Sequence, residues 1–470
     1  MSQWRWNANG PRSESAPSWA GGGLPGTGPS PQPAPGSPPR AGGDGWSREM
    51  DELTHRLHQR LVRQLDPALI SDGSGRKSRE AVEQAARALL AIEAPEVSGD
   101  LKEEVISVVV DEIVGLGPID PLVRDPSVSE IMVNAPDLIY YERDGRLYES
   151  PLRFRDANHI MRVVERIIAP LGRRVDEASP MVDARLPDGS RVNVIIPPLA
   201  PDSPTLTIRK FRTDRYMVED LIRIGSLTEE IAAFLEACVV SKINIVISGG
   251  TGSGKTTLLN ALSAFLPAGE RIVTIEDPLE LKLRQRHVVR LEARPPGIEG
   301  RGEVTQRDLF RNALRMRPDR IIVGEVRGPE AFDMMQAMNT GHEGSLTTLH
   351  ANSPRDALAR IENMVLLAGF DIPVIAIREQ IASALHLIVQ IARLPDGSRK
   401  ITHVTEVAGM EGTTITTQDI FRFVLTSAAG GEARGYFRAT GVRPRFVERL
   451  QAFGFDIRPD LFLAERRFGG

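Results

Sequence analysis

Ile247-Ser248-Gly249-Gly250-Thr251-Gly252-Ser253-Gly254-Lys255-Thr256-Thr257 follows directly on the apolar run Ile243-Asn244-Ile245-Val246. The spacing G-x-x-x-x-G-K-T, from Gly249 to Thr256, predicts a loop between a buried strand and the helix that Thr257-Leu258-Leu259 begins. Glycines let successive backbone N–H groups curl around phosphate oxygens, and the helix N-terminus adds the positive end of its dipole. Lys255 is then expected to reach the β- and γ-phosphates, and the Thr256 hydroxyl to ligate Mg²⁺. A glycine-rich turn of purely structural purpose would not need the strand before it and the helix after it. Those eleven residues imply a cradle for a nucleoside triphosphate.

Outward from that loop the chain alternates helices with short apolar strands at 243–247, 272–275, 321–323 and 345–349. Alternation at this spacing predicts an α/β domain with a mostly parallel sheet, which places ligands at the carboxyl ends of its strands. Three of those ends carry charge or histidine. The second strand exits into Glu276-Asp277-Pro278-Leu279-Glu280, where Glu276 or Asp277 is expected to support the site. The third runs Arg320-Ile321-Ile322-Val323 into Gly324-Glu325, resembling a Walker B strand with its acid one position late. Glu325 therefore acts either on Mg²⁺ or on the attacking water. The fourth strand is bracketed by His342 and His350; one should sense the γ-phosphate or couple subunits, the other be structural. No cysteine neighbours them and no second histidine pair has metal spacing, which argues against zinc.

Before the nucleotide-binding region, residues 1–46 are rich in proline and glycine and cannot bury enough apolar surface to offset ordering entropy. Leu53, Leu57, Leu61 and Leu65 recur at four-residue steps, and a second helical pattern carries Val82, Ala86, Leu89 and Leu90. These form a small helical module, residues 47–97. A third helix, from Asp100 to the G-L-G-P of residues 115–118, opens an α+β domain over residues 98–212. In it, Asp144-Gly145 and Asp188-Gly189 mark two hairpins around a helix bearing Ile160, Val163, Val164 and Ile167. A link at 213–227 leads to the nucleotide domain at 228–430, and residues 431–470 form a C-terminal extension. The hexapeptide L-P-D-G-S-R occurs at 186–191 and again at 394–399, with unlike flanks, so shared turn chemistry explains it better than a repeat.

With 470 residues, 41% hydrophobic and 26% charged, the chain is sized for two or three soluble domains. A formal charge of −4 gives no electrostatic case for broad nucleic-acid binding. Cys238, the single cysteine, sits in an apolar run and reads as a buried thiol in a reducing compartment. No apolar stretch has transmembrane length and the N-terminus lacks a secretory core, so a cytoplasmic protein is expected.

Four elements in order resemble the pilus-assembly and secretion ATPases of the type II/IV superfamily. They are G-G-T-G-S-G-K-T-T at 249–257, I-E-D-P-L-E-L at 275–281, R-M-R-P-D-R-I-I-V-G-E-V-R at 315–327 and G-H-E-G-S-L-T-T-L-H-A-N at 341–352. G-L-G-P-I-D-P-L at 115–122, S-E-I-M-V-N-A-P-D at 129–137, the long motif at 171–193 and T-I-R-K-F at 207–211 resemble the CpaF-like branch, which powers Tad pili. The resemblance spans about residues 50–460 and leaves out the tail. It implies a homohexameric ring of RecA-like ATPase domains, each preceded by an α+β N-terminal domain. It further implies ATP with Mg²⁺, and inner-membrane platform proteins as partners that hold the motor at the membrane periphery. By motif position it brings Arg191 and Arg209 to the phosphates, and one of Arg315, Arg317 and Arg320 to a neighbouring subunit. No guanine-reading N-K-x-D motif competes with the ATP reading. Two other classes stay open: a nucleotide-gated switch with slow hydrolysis, and a nucleic-acid translocase, which the near-neutral charge disfavours.

Overall fold

The computed structural model describes residues 48–65, 75–97, 99–143, 145–211, 216–297, 301–428 and 433–468. The tail 1–46, residue 47 of the helical module, Asp144 of the first hairpin, residues 213–215 of the link and residues 431–432 lie outside the described residues. Contacts divide the chain into two compact units. The first holds residues up to 166 with 175–181 and 193–208, and the second holds 167–174, 182–192 and everything from Arg209 onward.

In the first unit, the four-residue leucine spacing and the apolar pattern after it produce helices α1 (Arg48–Gln64), α2 (Gly75–Glu93) and α3 (Asp100–Val114). Leu53, Leu57 and Leu61 share one core with Val82, Ala86 and Leu90 and with Val105, Val109 and Ile113. The third helix, assigned from sequence to the next domain, thus buries its apolar stripe against the first two. Asp111 at its C-terminal end accepts hydrogen bonds from Arg79 and from Arg124 (2.8 Å), tying α2 to the turn after α3. Burial, followed by the nearby Asp120 carboxylate, pushes the Asp111 carboxyl up to about 6. Beyond α3 come strands β1 (Val128–Ala135), β2 (Leu138–Arg143) and β3 (Arg146–Glu149). Strands β2 and β3 form the expected hairpin, in which Gly145 takes the left-handed φ of 75° that a tight turn needs. They belong to a six-stranded sheet, order β3-β2-β1-β6-β5-β4, whose other strands are β4 (Met181–Arg185), β5 (Arg191–Ile195) and β6 (Thr205–Arg209).

The second unit is built on a ten-stranded sheet, order β16-β15-β14-β13-β12-β7-β11-β10-β8-β9. Its four strands legible in the sequence are β7 (Ile245–Gly249), β8 (Ile272–Glu276), β10 (Arg320–Val326) and β11 (Leu346–His350), and they lie side by side in parallel. β9 (Val288–Glu292) and β12 (Leu387–Arg393) extend the parallel part at either end. An antiparallel wing then follows: β13 (Arg399–Glu411), β14 (Thr414–Ser427), β15 (Arg434–Ala439) and β16 (Arg467–Phe468). The fold class is α/β, a P-loop domain of RecA-like type; its sheet is parallel through six strands and antiparallel through the rest. The C-terminal residues set apart in the sequence supply β15 and β16, and Phe421, Phe437, Phe462 and Phe468 join them to the core around Phe234.

Strand alternation sorts the core into two layers. Ile245 and Ile247 face the helices Glu229–Val240 and Lys255–Ser263, while Val246 faces Met334, Met335, Ile361 and Ile381 on the other side. Cys238 is fully buried in the first layer, and that burial raises its thiol well above the usual range, as a structural thiol requires. Among the described residues no helix is long and apolar enough to cross a membrane.

Candidate functional site

Strand β7 is buried throughout and delivers the chain into the loop at Gly249. A β-carbon on Gly249 would stand 2.4 Å from the Ile391 carbonyl of β12, so only glycine fits there. Gly252 and Gly254 take left-handed φ values of 67° and 98°, and the helix begins at Lys255. Thr251 is exposed. Ser253 Oγ and Lys255 Nζ both donate to the Gly250 carbonyl at 2.9 Å, closing the loop on itself. Thr256 and Thr257 follow in the first helical turn, at the positive end of the dipole.

Thr256 Oγ1 donates to Glu280 Oε2 at 3.1 Å, and Glu280 is in turn ion-paired with Arg191. Among the three carboxylates at and beyond the end of β8, then, the one beside the loop is Glu280. Glu276 is buried and accepts the backbone N–H groups of Glu280 and Leu281, each at 2.6 Å, with the Thr274 hydroxyl at 3.0 Å. Burial raises its pKa. Its carboxylate therefore shapes the turn that presents Glu280, and Lys282 N–H to Asn260 Oδ1 (2.8 Å) pins the far end of that turn to the helix. Asp277 is exposed. The strand order explains the difference, because β11 and β10 separate β8 from β7 and Glu276 lies beneath the turn.

Glu325 ends the apolar part of β10 and pairs with Arg327 (Nη2 at 2.5 Å, Nε at 2.8 Å). The glycine that displaces this acid from its usual position has a packing cause. A β-carbon on Gly324 would lie 3.1 Å from Glu276 Cγ on the neighbouring strand. The two histidines separate cleanly. His350 closes β11 opposite Gly249, whereas His342 precedes the strand, donating its N–H to the Ala337 carbonyl with its ring Nδ1 buried and unpaired.

The loop sits in a strongly cationic field. Lys255 has a lowered pKa, first through burial, with Arg209 and Arg327 adding to the effect and Glu325 and Glu280 opposing it. Arg191 is lowered by burial, with Glu280 opposing and Arg209, Arg327 and Arg185 adding. His350 is lowered by burial and then by Lys255, so its ring is neutral near pH 7. Lys255, Arg191, Arg209 and Arg327 thus outnumber the two carboxylates among them, an arrangement complementary to a polyphosphate. All of these residues belong to the second unit, including the segments of Arg191 and Arg209, which sequence reading had given to the preceding domain.

Sequence reading overlooked Arg327 and Arg399 and did not single out Glu280. Arg399 Nε donates to the Gly252 carbonyl at 3.0 Å. Its signal was the repeated hexapeptide, and that of Arg327 its place two residues past Glu325. Of the three arginines around the third strand, Arg320 is fully buried and satisfied inside its own chain, while Arg315 and Arg317 are exposed.

The family described as Type II/IV secretion system protein matches residues 112–438, well over half of the chain. A Mycobacterium tuberculosis protein, provisionally named a conjugal transfer protein, is 38% identical over 307 residues, covering 64% of this chain and 87% of that protein. The type IV secretion system protein VirB11 of Bartonella quintana is 32% identical over 345 residues, covering 65% and 94%. Among solved structures, the VirB11 ATPase of Brucella suis, in complex with sulphate, is 31% identical over 61% of this chain and 94% of its own, with a TM-score of 0.34. With its phosphate loop, its parallel core and the family match over residues 112–438, the chain belongs to the type II/IV secretion system protein family and is an ATP hydrolase of the P-loop class.

Proposed function

We propose that this chain is one subunit of a homohexameric, Mg²⁺-dependent ATPase ring of the CpaF-like branch, powering Tad-type pilus assembly. The observation that carries the catalytic part is the meeting of Lys255, Thr256–Glu280, Glu325 and Arg191 at one phosphate loop. Lys255 and the loop amides of Gly249 to Thr257 hold the β- and γ-phosphates. Arg191 and Arg209 neutralise the charge that develops on the transferred group, the work an arginine finger does elsewhere. Glu325 orients or deprotonates the attacking water, and neutral His350, beside Gly249, reports the γ-phosphate. Glu276 holds the Glu280 turn.

The donors at Thr256 are all oxygen, a hydroxyl and a carboxylate 3.1 Å apart, which suits a small hard cation. Thr256 and Glu280 would hold Mg²⁺, with Glu325 within the same charge cluster; the ion when bound neutralises phosphate charge.

The pilus role rests on the CpaF-like motifs and on the family's secretion membership. Under this reading the protein is cytoplasmic and reaches the inner membrane through platform proteins. The helical module, α+β domain, link and ATPase domain are the mechanical parts, and Arg315 and Arg317 are the arginines left for a neighbour. The specific rate of Mg²⁺-ATP hydrolysis should climb with protein concentration and saturate as rings assemble. A flat, measurable rate from a species with the mass of one chain would overturn the ring and any site shared between subunits. DNA-stimulated hydrolysis would point instead to a translocase.

Glu325→Gln separates the water role from the metal role. Hydrolysis is expected to fall about 10²- to 10⁴-fold, the range for losing a general base, with ATP affinity kept within a few-fold. An equal loss of affinity and rate would assign Glu325 to holding the metal and nucleotide.

A further inference from the structure

The hexapeptide L-P-D-G-S-R folds into the same turn at both places. In the first copy Leu186 N–H donates to the Ser190 carbonyl (2.9 Å) and Ser190 N–H to Asp188 Oδ1 (2.9 Å). The second copy matches, with Leu394 N–H to the Ser398 carbonyl (2.8 Å) and Ser398 N–H to Asp396 Oδ1 (2.9 Å). Gly189 and Gly397 take φ values of 92° and 85°. Each turn therefore launches its final arginine in the same way, and both arginines end at the nucleotide loop. Arg191 reaches Glu280, the partner of Thr256. Arg399 reaches the loop backbone itself.

Three contacts make the second arrival specific. Arg399 Nε donates to the Gly252 carbonyl at 3.0 Å, and its Cδ lies 3.1 Å from where a β-carbon on Gly254 would be. Arg393, its cross-strand partner in β12, approaches the β-carbon position of Gly252 to 4.0 Å. The root of the hairpin is fixed, because Ser226 Oγ donates to the Arg399 carbonyl (2.7 Å) and Lys400 Nζ to the Gly225 carbonyl (2.6 Å). A trans peptide is planar, so the Gly252 C=O and the Ser253 N–H point in opposite directions. Holding that carbonyl sets where the Ser253 amide aims. Within the loop this amide makes a long, 3.4 Å contact to the Gly250 carbonyl, so its direction is set mainly by the peptide plane.

We propose that Arg399 is a positioning residue for the phosphate loop: by holding the Gly252 carbonyl it turns the Ser253 amide toward the bound polyphosphate, and so sets the affinity for ADP and ATP alike. The proposal rests on the reading of this loop as the nucleotide site. Because the contact is to the loop and not to the γ-phosphate, its effect is uniform between ground and transition states.

The test uses the full chain, mant-ADP as probe, steady-state ATP hydrolysis and thermal unfolding. Arg399→Ala is expected to raise the mant-ADP Kd and the KM for ATP together, each about tenfold, the loss of one charge-assisted hydrogen bond. Its kcat should stay within about twofold, and Arg399→Lys should recover part of the affinity. A folded Arg399→Ala protein with unchanged Kd and KM overturns the proposal, as does a fall in kcat at constant Kd. Should Arg399→Ala fail to fold, Arg399→Lys decides: a Kd raised a few-fold supports the positioning role and an unchanged Kd overturns it. Absence of mant-ADP binding by the unaltered chain would remove the nucleotide-site reading, and this proposal with it.

Discussion

Replacing Lys255 with alanine should lower ATP hydrolysis by at least roughly 10²- to 10³-fold, the range for losing one preorganised charge stabiliser. The ammonium donates to the Gly250 carbonyl at 2.9 Å and stands among Arg209, Arg327, Glu325 and Glu280, where a phosphate chain would replace the carbonyl as its partner. Nucleotide affinity should fall with the rate, because the same contact serves ground and transition states. Thermal stability is expected to hold or rise slightly. Burial lowers the Lys255 pKa, so the folded state is working against this charge, as functional sites commonly do. Hydrolysis persisting within tenfold of the unaltered rate, in a correctly folded variant, would sink the assignment of this loop.

The largest effect on stability is expected from Arg320→Ala. Arg320 is fully buried at the start of β10, where its Nε donates to Glu270 (2.6 Å) and its Nη1 to the carbonyls of Val239 (2.7 Å) and Gly344 (3.2 Å). One side chain thus joins the end of the helix Glu229–Val240, the segment before β8 and the turn before β11. Its removal takes the nearest cation from the Glu270 carboxylate, leaving Lys242 at 3.8 Å, and takes one donor from each of two carbonyls. Breaking a buried pair in this way costs about 3–5 kcal/mol. At roughly 2–4 °C per kcal/mol for a unit of this size, the melting midpoint should drop by about 10 °C. Glu270→Gln on the Arg320→Ala background should add less than it does alone, because the two changes break one interaction. A midpoint within about 2 °C of the unaltered protein would show that Arg320 contributes no net stability.

Much of the site could be read in the chain because its chemistry is local. Gly249 to Thr256 must be contiguous to wrap a phosphate, and strand β10 announces Glu325 by its apolar run. The helix at 157–168 and both hairpins were equally legible, since periodicity and Asp-Gly turns act over a few residues. The antiparallel wing was harder to see. Its long strands β13 and β14 mix threonine and charge with apolar residues, and that pattern resolves only once one knows which face the helices cover.

Contiguous residues determined that this chain has a phosphate loop, a mostly parallel core and two arginine-tipped turns of identical sequence. Strand order and side-chain parity decided the rest. Glu280, and not Glu276, meets Thr256 because Glu276 is spent on the amides of the turn beneath it. His350, and not His342, lies beside Gly249 because the two stand at opposite ends of one strand, and only the carboxyl end opens on the loop. Arg320 lies inside its own chain because three elements distant in sequence close around it. A short motif encodes which groups can bind a phosphate, through glycine conformation and the helix dipole. Which carboxylate, histidine or arginine arrives beside that motif depends on contacts made tens to hundreds of residues away, and those exist only after the sheet has assembled.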